Sequence, residues 1–317
     1  MQIVRGIPVG AASAIALTIG NFDGVHLGHQ AILARLKQTA DARGITSCAM
    51  TFEPHPREYF SPNDAPARLT SLREKIALLS RCGVQRVYIC RFDRSLAQLS
   101  AEDFISDVLV RMATKWLLVG EDFRFGARRG GDIAQLQAAA VRRGFEVASM
   151  PSILVDGLRV SSSAIRQALA DGKLAHASAL LGRHYSISGR VVHGDKLGAR
   201  IGYPTANIEL KRNKPALSGI FAVEVEGIGR ERCPGVASLG VRPTVKAGAA
   251  PLLEVHLFRH NDLYGGDLYG DLYGKRLTVH FLHKLRDEEK FADLDALTQQ
   301  IGLDVKNAQA WFSHALA

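Results

Sequence analysis

The chain has 317 residues, of which 47% are hydrophobic and 22% are charged. This composition is typical of a globular protein with a large core, and it excludes a disordered chain, a collagen-like chain and a small disulfide scaffold. No run approaches the roughly 18 uncharged apolar residues of a membrane span. The N-terminus lacks the basic start and apolar run of a secretory signal. At about 100–200 residues per domain, the length predicts two domains.

Basic residues outnumber acidic ones by 40 to 31, which gives a net charge of +9. The excess lies mostly in residues 1–184, which carry a net charge of +7, against +2 for residues 185–317. A basic surface suits nucleic acids and also small polyphosphate ligands. Because the sequence has no long block of Lys and Arg residues, we expect polyphosphate ligands and no nucleic acid partner.

The four cysteines, Cys48, Cys82, Cys90 and Cys233, form no CxxC pair and have no metal-ligand spacing. This pattern predicts reduced, buried thiols in a cytoplasmic protein. We also expect no membrane partner, and a monomer or a weak homo-oligomer.

The first part of the chain alternates short apolar runs with amphipathic stretches. The runs predict strands at residues 14–19, 47–52, 86–90, 116–119 and 146–150. The stretches predict helices at residues 29–40, 71–82, 101–112 and 133–143. This alternation predicts a Rossmann-like α/β domain, with a parallel sheet and helices on both faces. Ligands in such a fold bind beyond the carboxyl ends of the strands.

The pattern changes near residue 185, after a helical bridge predicted at residues 161–181. Short apolar runs between Gly, Pro and Asn turns predict strands at residues 186–192, 220–225, 236–239, 252–258 and 277–282. No clear helix lies between them, which favours a small antiparallel barrel or sandwich. Two helices are predicted at the end of the chain, at residues 291–301 and 307–316.

The tetrapeptide Asp-Leu-Tyr-Gly occurs three times between Asp262 and Gly274. A period this short is not a solenoid unit, and it predicts a turn-rich connection between two strands. An aromatic platform made by the three tyrosines is the alternative to a plain surface loop. Because the segment follows the strand at 252–258, we consider a lid over a ligand at that strand.

The strongest motif is GNFDGVHLGH, at residues 20–29. It follows a predicted buried strand and opens a predicted helix, whose N-terminus offers free N–H groups and partial positive charge. A glycine lets a phosphate approach the backbone closely. His26 and His29 can donate hydrogen bonds to nucleotide phosphates and stabilise the charge that develops as pyrophosphate leaves. A surface or capping role for the two histidines is the alternative.

This HxGH element resembles the signature of the nucleotidylyltransferase superfamily. The longer motif resembles the flavin adenylyltransferase module of the bacterial bifunctional riboflavin kinase/FAD synthetases. Three more segments are similar to that family, namely TFEPHP at 51–56, LVGEDFRFG at 118–126 and SSSAIR at 161–166. Ser163 stands where the family usually has Thr, and it keeps the hydroxyl. Asp122 stands where Asn is usual, and it can accept a hydrogen bond from a flavin N–H but cannot donate one.

The resemblance implies catalytic roles for His26 and His29. It implies ATP or phosphate contacts at Gly20, Phe22, Asp23, Gly24, Gly28, Ser161, Ser162, Ser163 and Arg166. It implies flavin contacts at His55, Pro56, Asp122, Phe123 and Phe125. The residue types suit these roles, because two prolines stiffen the loop around His55 and phenylalanine rings can stack on an isoalloxazine. The alternatives are a structural loop histidine, core phenylalanines and serines that only cap a helix.

A second motif, GARIGYPTAN at residues 198–207, resembles the riboflavin kinase pattern GxxxGxPTAN. Gly198 and Gly202 fit a close phosphate-binding loop, and Pro204 fixes the backbone before Thr205. The resemblance implies that Thr205 and Asn207 bind Mg2+ and the ATP phosphates, and oxygen ligands suit this hard ion. The family usually has Arg directly after the first glycine. Here Ala199 stands there and Arg200 follows, so that phosphate contact stays open.

Glu254 lies in a predicted strand, where it alternates with apolar neighbours and therefore projects from the opposite face. It matches the general base of the kinase, which would take the proton of the ribityl 5′-hydroxyl. A solvated strand carboxylate is the alternative. The segment GVRPT at residues 240–244 is similar to the family's GxRPT turn, with a structural or flavin-adjacent role.

The resemblance covers nearly the whole chain and implies two activities. An FMN adenylyltransferase domain is expected at residues 1–184, and a Greek-key riboflavin kinase barrel with C-terminal helices at residues 185–317. The barrel would convert riboflavin to FMN with Mg-ATP, and the first domain would convert FMN and ATP to FAD and pyrophosphate. An adenylyltransferase for another acceptor, such as phosphopantetheine or nicotinamide mononucleotide, has no need of the PTAN motif. A non-catalytic RNA- or protein-binding module is supported only by the positive charge of the first part.

Overall fold

The computed structural model describes residues 1–8, 10, 13–194, 197–212, 214–241, 251–258 and 272–315. They form two compact units. The first contains Met1–Pro66 and Thr70–Ser162, and the second contains Ala67–Leu69 and Ser163–Ala317. The helical segment between residues 163 and 184, which the sequence analysis places in the first domain, thus belongs to the second unit. Among the described helices, none is both long enough and apolar enough to cross a membrane.

The first unit is built on a six-stranded parallel sheet. Its strands are β1 (Gln2–Arg5), β2 (Ile15–Ile19), β3 (Thr46–Glu53), β4 (Arg86–Arg91), β5 (Thr114–Gly120) and β6 (Glu146–Met150). Their order across the sheet is β1-β4-β3-β2-β5-β6, and every pairing is parallel. β2 is therefore flanked by β3 on one side and by β5 on the other. The strand order reverses at this point, where parallel sheets bind ligands beyond their carboxyl ends.

Helices cover both faces of this sheet, as predicted. They are α1 (Leu27–Arg43), α2 (Pro56–Phe60), α3 (Leu72–Arg81), α4 (Arg94–Gln98), α5 (Ala101–Phe104), which continues as a π-helical turn over Ile105–Val110, and α6 (Ile133–Arg143). Alternate residues of β2 face opposite cores. Leu17 packs with Leu136 on one face, and Ala16 packs with Leu36 on the other. A hairpin, β7 (Leu154–Val155) and β8 (Leu158–Arg159), follows the sheet.

The second unit contains a closed antiparallel barrel, which decides between the predicted barrel and sandwich. Its strands are β9 (Ser186–Val192), β10 (Ala206–Glu209), β11 (Gly219–Glu226), β12 (Cys233–Val241), β13 (Pro251–Leu257) and β14 (Arg276–Arg286). The order around the barrel is β10-β13-β12-β11-β14-β9, and β9 pairs with β10 to close it. The helices are α7 (Ser162–Ala170), α8 (Leu174–Leu181), the single turn α9 (Leu197–Arg200) and α10 (Leu294–Ala315).

The two predicted C-terminal helices are one helix, and this prediction was wrong. α10 runs without a break through Gly302, where the sequence pattern places a gap. An isolated glycine costs a helix only about 1 kcal/mol. The packing of α10 outweighs that cost, because Ala308, Trp311 and Phe312 lie against Ile220 and neighbouring residues on the outside of the barrel.

Candidate active sites

The loop after β2 carries the first motif and is tightly wound. Phe22, Gly24 and Val25 all have positive φ angles, of 48°, 83° and 40°. The loop ends at His26, which caps α1 because its Nδ1 accepts a hydrogen bond from the backbone N–H of His29 at 3.3 Å. A Cβ at Gly28 would lie 3.2 Å from the His26 ring. The motif therefore places both histidines at the N-terminus of a long helix, at the reversal point of the sheet.

The two histidine rings stack on each other. Their centroids are 3.7 Å apart and the ring planes differ by 18°. The Nδ1 atom of His29 is buried and has no hydrogen-bond partner among the described residues. Burial lowers the pKa of His29 well below its ordinary value, and the nearby charges of His26 and Lys75 lower this pKa further. His29 is therefore a neutral imidazole at neutral pH.

Asp23 holds this loop in place. Its buried carboxylate accepts hydrogen bonds from the backbone N–H and from the hydroxyl of Thr70, at 3.0 and 3.1 Å. The Thr70 hydroxyl oxygen also accepts from the N–H of Gly24 at 3.1 Å. The Ser162 hydroxyl donates to the Asp23 carbonyl at 2.9 Å. This network gives Asp23 an anchoring role, and the predicted contact with ATP stays a prediction.

The other residues that were predicted to contact ATP are divided between the two units. Gly20 donates from its backbone to Met50 at 3.1 Å, which joins the start of the loop to β3. Ser161 and Ser162 belong to the first unit, whereas Ser163 and Arg166 belong to the second. The Nε of Arg166 donates to the carbonyl of Ala67 at 2.6 Å.

The predicted flavin residues lie on segments that follow β3 and β5. His55 caps α2, because its Nδ1 accepts from the N–H of Arg57 while its own N–H donates to the side chain of Glu58. Pro56 is the first residue of that helix. These bonds fix the His55 ring at the end of β3.

Asp122, Phe123 and Phe125 have different surroundings. The exposed carboxylate of Asp122 pairs with Arg159 on the hairpin. Phe123 is partly buried and stacks on Phe125 at a centroid distance of 5.8 Å. Phe125 is only 6% exposed and contacts Phe104 in the core. The packing of Phe125 is that of a core residue, and Asp122 and Phe123 remain the more accessible of the three.

An aromatic cluster beside His55 was not predicted from the sequence. It consists of Phe52, Tyr59, Phe60 and Phe92, whose neighbouring rings contact edge to face at 5.2–5.8 Å. Phe60 is 62% exposed and Tyr59 is 38% exposed. The available signal was the aromatic pair Tyr59-Phe60, three residues after Pro56. Exposed aromatic rings at the carboxyl ends of β3 and β4 are suited to stack on a planar ligand.

The second unit holds a cavity of about 250 Å³ between the outside of the barrel, the α9 turn and α10. Of the predicted residues, Gly198, Thr205 and Glu254 line it. Its other polar lining residues were not predicted, and they are Ser238, His256, Arg286, Glu288, Glu289 and Asp304. They lie on β12, on β13 and in the segment from the end of β14 into α10. None of these six residues belongs to a motif that the sequence shows.

Glu254 lies in a row of polar residues that crosses three strands. It is the register partner of Asn207 on β10 and of Ser238 on β12. Asn207 is 7% exposed, and its buried Oδ1 has no hydrogen-bond partner among the described residues. Burial raises the pKa of Glu288, and the negative charge of Glu254 raises this pKa further. Glu254 and Glu288 are thus two of the four carboxylates that line the cavity, and Glu254 lies next to a buried amide oxygen.

The glycine loop is held close to this row. A Cβ at Gly198 would lie 2.3 Å from the Tyr203 carbonyl, and one at Gly194 would lie 2.3 Å from the Asn207 amide. His256 Nδ1 donates to the Pro204 carbonyl at 2.8 Å, which ties β13 to the PTAN segment. Gly202, with a φ of 84°, makes the turn between the two ends of the motif.

Part of two sequence-derived segments lies outside the described residues. These parts are residues 242–244 of the GVRPT segment and residues 262–271 of the Asp-Leu-Tyr-Gly repeats. Tyr273, in the last repeat, is described, and its ring lies 3.8 Å from that of His193. The backbone N–H of Gly274 donates to Val191 at 3.0 Å. The last repeat therefore lies beside the end of β9.

Comparison with known proteins assigns a family to each unit. The FAD synthetase family model matches residues 10–164, and the riboflavin kinase family model matches residues 181–312. The chain is thus a two-domain transferase that acts on flavins, with a nucleotidylyltransferase-type domain followed by a riboflavin kinase barrel. A solved structure described as a macrolide-efflux protein from Streptococcus pneumoniae has the same architecture, with a TM-score of 0.78, 30% identity, and coverage of 96% of this chain and 97% of that chain.

Curated relatives match along almost the entire length. The bifunctional riboflavin kinase/FMN adenylyltransferase of Escherichia coli K12 is 48% identical over 98% of both chains. The protein of the same name from Pseudomonas fluorescens is 47% identical over 98% of this chain and 97% of its own. The chain belongs to the family of bifunctional riboflavin kinase/FMN adenylyltransferases. The order of the two domains is the predicted one.

Proposed function

We propose that the two activities of this family are carried out at the two sites described above. The barrel phosphorylates riboflavin to FMN with ATP, and the α/β unit adenylylates FMN to FAD with release of pyrophosphate. The stacked pair of His26 and His29 at the N-terminus of α1 supports the assignment of adenylyl transfer to the α/β unit. Glu254, in the barrel cavity, supports the assignment of riboflavin phosphorylation to the barrel.

In adenylyl transfer, a phosphate oxygen of FMN forms a bond to the α-phosphorus of ATP. The bond from that phosphorus to the bridging oxygen breaks, and its electron pair leaves with pyrophosphate. FMN supplies the nucleophile, so no covalent enzyme intermediate is needed. The imidazole N–H groups of His26 and His29 and the N-terminus of α1 stabilise the departing negative charge. His29 serves well here because its neutral imidazole donates a hydrogen bond from its N–H without first gaining a proton.

The ATP contacts of this unit are proposed for the loop and the serine segment. The residues concerned are Gly20, Phe22, Asp23, Gly24, Gly28, Ser161 and Ser162. The contacts expected from Ser163 and Arg166, which belong to the second unit, stay predictions. The course of the loop supports the proposal, because it ends at His26, the N-cap of α1, and the N-terminus of a helix favours a bound phosphate.

The flavin of the adenylyltransferase is proposed to bind along the carboxyl ends of β3, β4 and β5. His55, Pro56, Asp122, Phe123 and Phe125 are the predicted contacts. The exposed rings of Tyr59 and Phe60 support this placement, since an isoalloxazine needs a planar apolar surface. We add these two rings to the proposed flavin site.

In the kinase, Glu254 acts as general base. It takes the proton of the ribityl 5′-hydroxyl as that oxygen forms a bond to the γ-phosphorus, and the bond to ADP breaks. The position of Glu254 on the cavity wall, beside Asn207 on the neighbouring strand, supports this role. The phosphates are proposed to lie against Gly198, Gly202, Pro204, Thr205 and Asn207.

The donor set of the kinase site fits Mg2+. The unpartnered buried Oδ1 of Asn207 and the Thr205 hydroxyl at the cavity are the hard oxygen ligands that this ion prefers. Thr205 and Asn207 would hold the ion. Because Gly194 and Gly198 have no side chain, they do not crowd these two ligand residues. When bound, Mg2+ neutralises phosphate charge during the transfer.

The cellular setting is also a proposal. Four free cysteines, of which Cys48 and Cys90 are buried with a pKa raised by burial to about 12, suit a reducing compartment. We propose a cytoplasmic enzyme whose partners are riboflavin, FMN and ATP, with no nucleic acid or membrane partner, acting as a monomer or weak homo-oligomer. The boundary between the two catalytic domains is proposed to lie at residue 184.

The direct experiment is a time course of the purified protein with riboflavin, ATP and Mg2+, with the flavins separated by chromatography. FMN is expected first and FAD later. With Glu254→Gln, the initial rate of FMN formation is expected to fall by at least about 100-fold, because a general base contributes at least that much. Glu224→Gln is the matched control, since this carboxylate on β11 pairs with Arg232 and does not line the cavity. Unchanged FMN formation by Glu254→Gln would remove Glu254 from the mechanism.

A further inference from the structure

Lys75 occupies a core position, which is unusual for a lysine. It lies on α3, where it and Leu79, one turn further on, are the buried residues, and Lys75 is only 3% exposed. Lysine is almost never fully buried unless it is paired, because removing its ammonium group from water is costly. Neither the sequence motifs nor the proposed chemistry uses this residue.

The side chain of Lys75 reaches the histidine site of the same unit. Its Nζ donates to the Thr51 hydroxyl at 3.4 Å, and that hydroxyl donates to the carbonyl of Asn21 at 3.2 Å, inside the histidine loop. The charge of Lys75 acts on His29 together with that of His26. The ammonium group thus lies behind the loop, beside His29, at the end of β3.

The position of α3 relative to the loop is fixed. Ser71 caps α3, and its backbone N–H donates to Glu74 in return. Thr70, directly before this cap, is the residue that binds Asp23 and Gly24. Lys75 is one turn into a helix whose start is hydrogen-bonded to the histidine loop, so its charge has a defined place in the site.

We propose that Lys75 is a positioning residue for adenylyl transfer, whose buried ammonium group supplies fixed positive charge behind His26 and His29. The proposal rests on the adenylyltransferase activity of this unit. A nucleoside triphosphate brings several negative charges to the loop, and more negative charge develops on the leaving pyrophosphate. His26 and His29 orient these groups by hydrogen bonds, and Lys75 adds positive charge that balances them. Because the positive charge lies on Lys75, this contribution does not require a protonated His29.

The test compares Lys75→Met, which keeps the apolar stem without the charge, with Lys75→Arg, which keeps the charge. For Lys75→Met, the kcat of FAD formation from FMN and ATP is expected to fall by about 10–100-fold. This is less than the roughly 100–1,000-fold loss found when a group that contacts the developing charge is removed, because Lys75 acts from behind the loop. The acidic limb of its pH profile is expected to move to higher pH, because His29 loses a neighbouring positive charge. Lys75→Arg is expected to recover part of the rate. Leu79→Ala controls for packing of α3 and is expected to leave the pH profile in place.

Two results would overturn the proposal. One is a Lys75→Met enzyme with wild-type kcat and pH profile while the wild-type protein makes FAD. The other is an NMR titration that gives His29 the same pKa in the wild type and in Lys75→Met, which would show that the charge of Lys75 does not act on this histidine. Absence of FAD formation by the wild type would instead contradict the proposed function. Urea unfolding of the first unit in each variant shows that this unit is folded, and riboflavin phosphorylation in the same samples shows that the second unit is intact.

Discussion

His29 makes the stability of the first unit depend on pH. Burial, helped by the charges of His26 and Lys75, lowers the pKa of His29 below its ordinary value of 6.5. The folded unit therefore binds a proton at this site less readily than the unfolded chain, and protonation favours unfolding. Stability is full above about pH 6.5 and is lost as the pH falls toward the lowered pKa.

Urea unfolding of the wild type at a series of pH values from 7.5 to about 5 measures this effect. The free energy of unfolding is expected to decrease on the acidic side, and His29→Gln is expected to reduce that slope. His184→Gln, at an exposed histidine, is the control. Equal slopes for His29→Gln and the wild type would contradict the assignment of a buried, neutral His29.

Gly198 is required by its surroundings rather than by a backbone angle. A Cβ there would lie 2.3 Å from the Tyr203 carbonyl, so Gly198→Ala must displace the PTAN segment. We expect riboflavin phosphorylation to fall by about 10–100-fold, because small misplacements of catalytic groups cost that much. FAD formation from supplied FMN is expected to be unchanged. Initial rates of both reactions measure this, with the exposed neighbour Ala199→Ser as control, and equal rates for Gly198→Ala would contradict the geometry.

Residues with a motif were predictable, and residues without one were not. The HxGH and PTAN segments identify their histidines, glycines and hydroxyls from local sequence alone. Ser238, His256 and Glu288 reach the kinase cavity only because β12, β13 and the end of β14 come together around it. Lys75 was not predictable either, because a lysine in an amphipathic helix normally indicates an exposed face.

At the scale of elements, the start of α3 connects the sheet to the histidine loop. The Thr70 hydroxyl donates to Asp23 and accepts from Gly24. Thr70→Val keeps the shape and removes these two hydrogen bonds. We expect the free energy of unfolding of the first unit to fall by about 1–3 kcal/mol, the cost of unsatisfied buried polar groups. We also expect slower FAD formation, because the loop is less well fixed.

The matched control for Thr70→Val is Ser71→Ala. It removes the cap of the same helix at a cost of about 1 kcal/mol but leaves the bonds to the loop. Urea unfolding and FAD initial rates for both variants separate helix stability from loop fixation. A Thr70→Val enzyme that makes FAD no more slowly than Ser71→Ala would contradict the anchoring role of Thr70.

Elements with a clear apolar pattern were predictable from the sequence. Very short elements, and elements whose extent depends on tertiary contacts, were not. The helix at 133–143 and the strands at 146–150 and 186–192 have the predicted bounds. β10 and α2 are only four and five residues long, too short for a periodic signal. α10 appeared broken because periodicity is interrupted near Gly302, whereas its contacts with the barrel keep it continuous.

At the scale of the whole molecule, the two proposed reactions take place in two units that share no proposed catalytic residue. FMN is the product of one and the substrate of the other. A protein that has lost only one site should therefore retain the other reaction, and two such proteins together should complete the sequence. The family and the domain order were predictable because motifs for both reactions lie in one chain.

The most direct test mixes Glu254→Gln with His26→Ala/His29→Ala and supplies riboflavin, ATP and Mg2+. Alone, Glu254→Gln is expected to form FAD from FMN but almost no FMN from riboflavin, and the histidine variant is expected to form FMN and almost no FAD. The mixture is expected to make FAD from riboflavin. Loss of both reactions in either folded variant, or a mixture that accumulates FMN without FAD, would contradict the assignment of two separate sites.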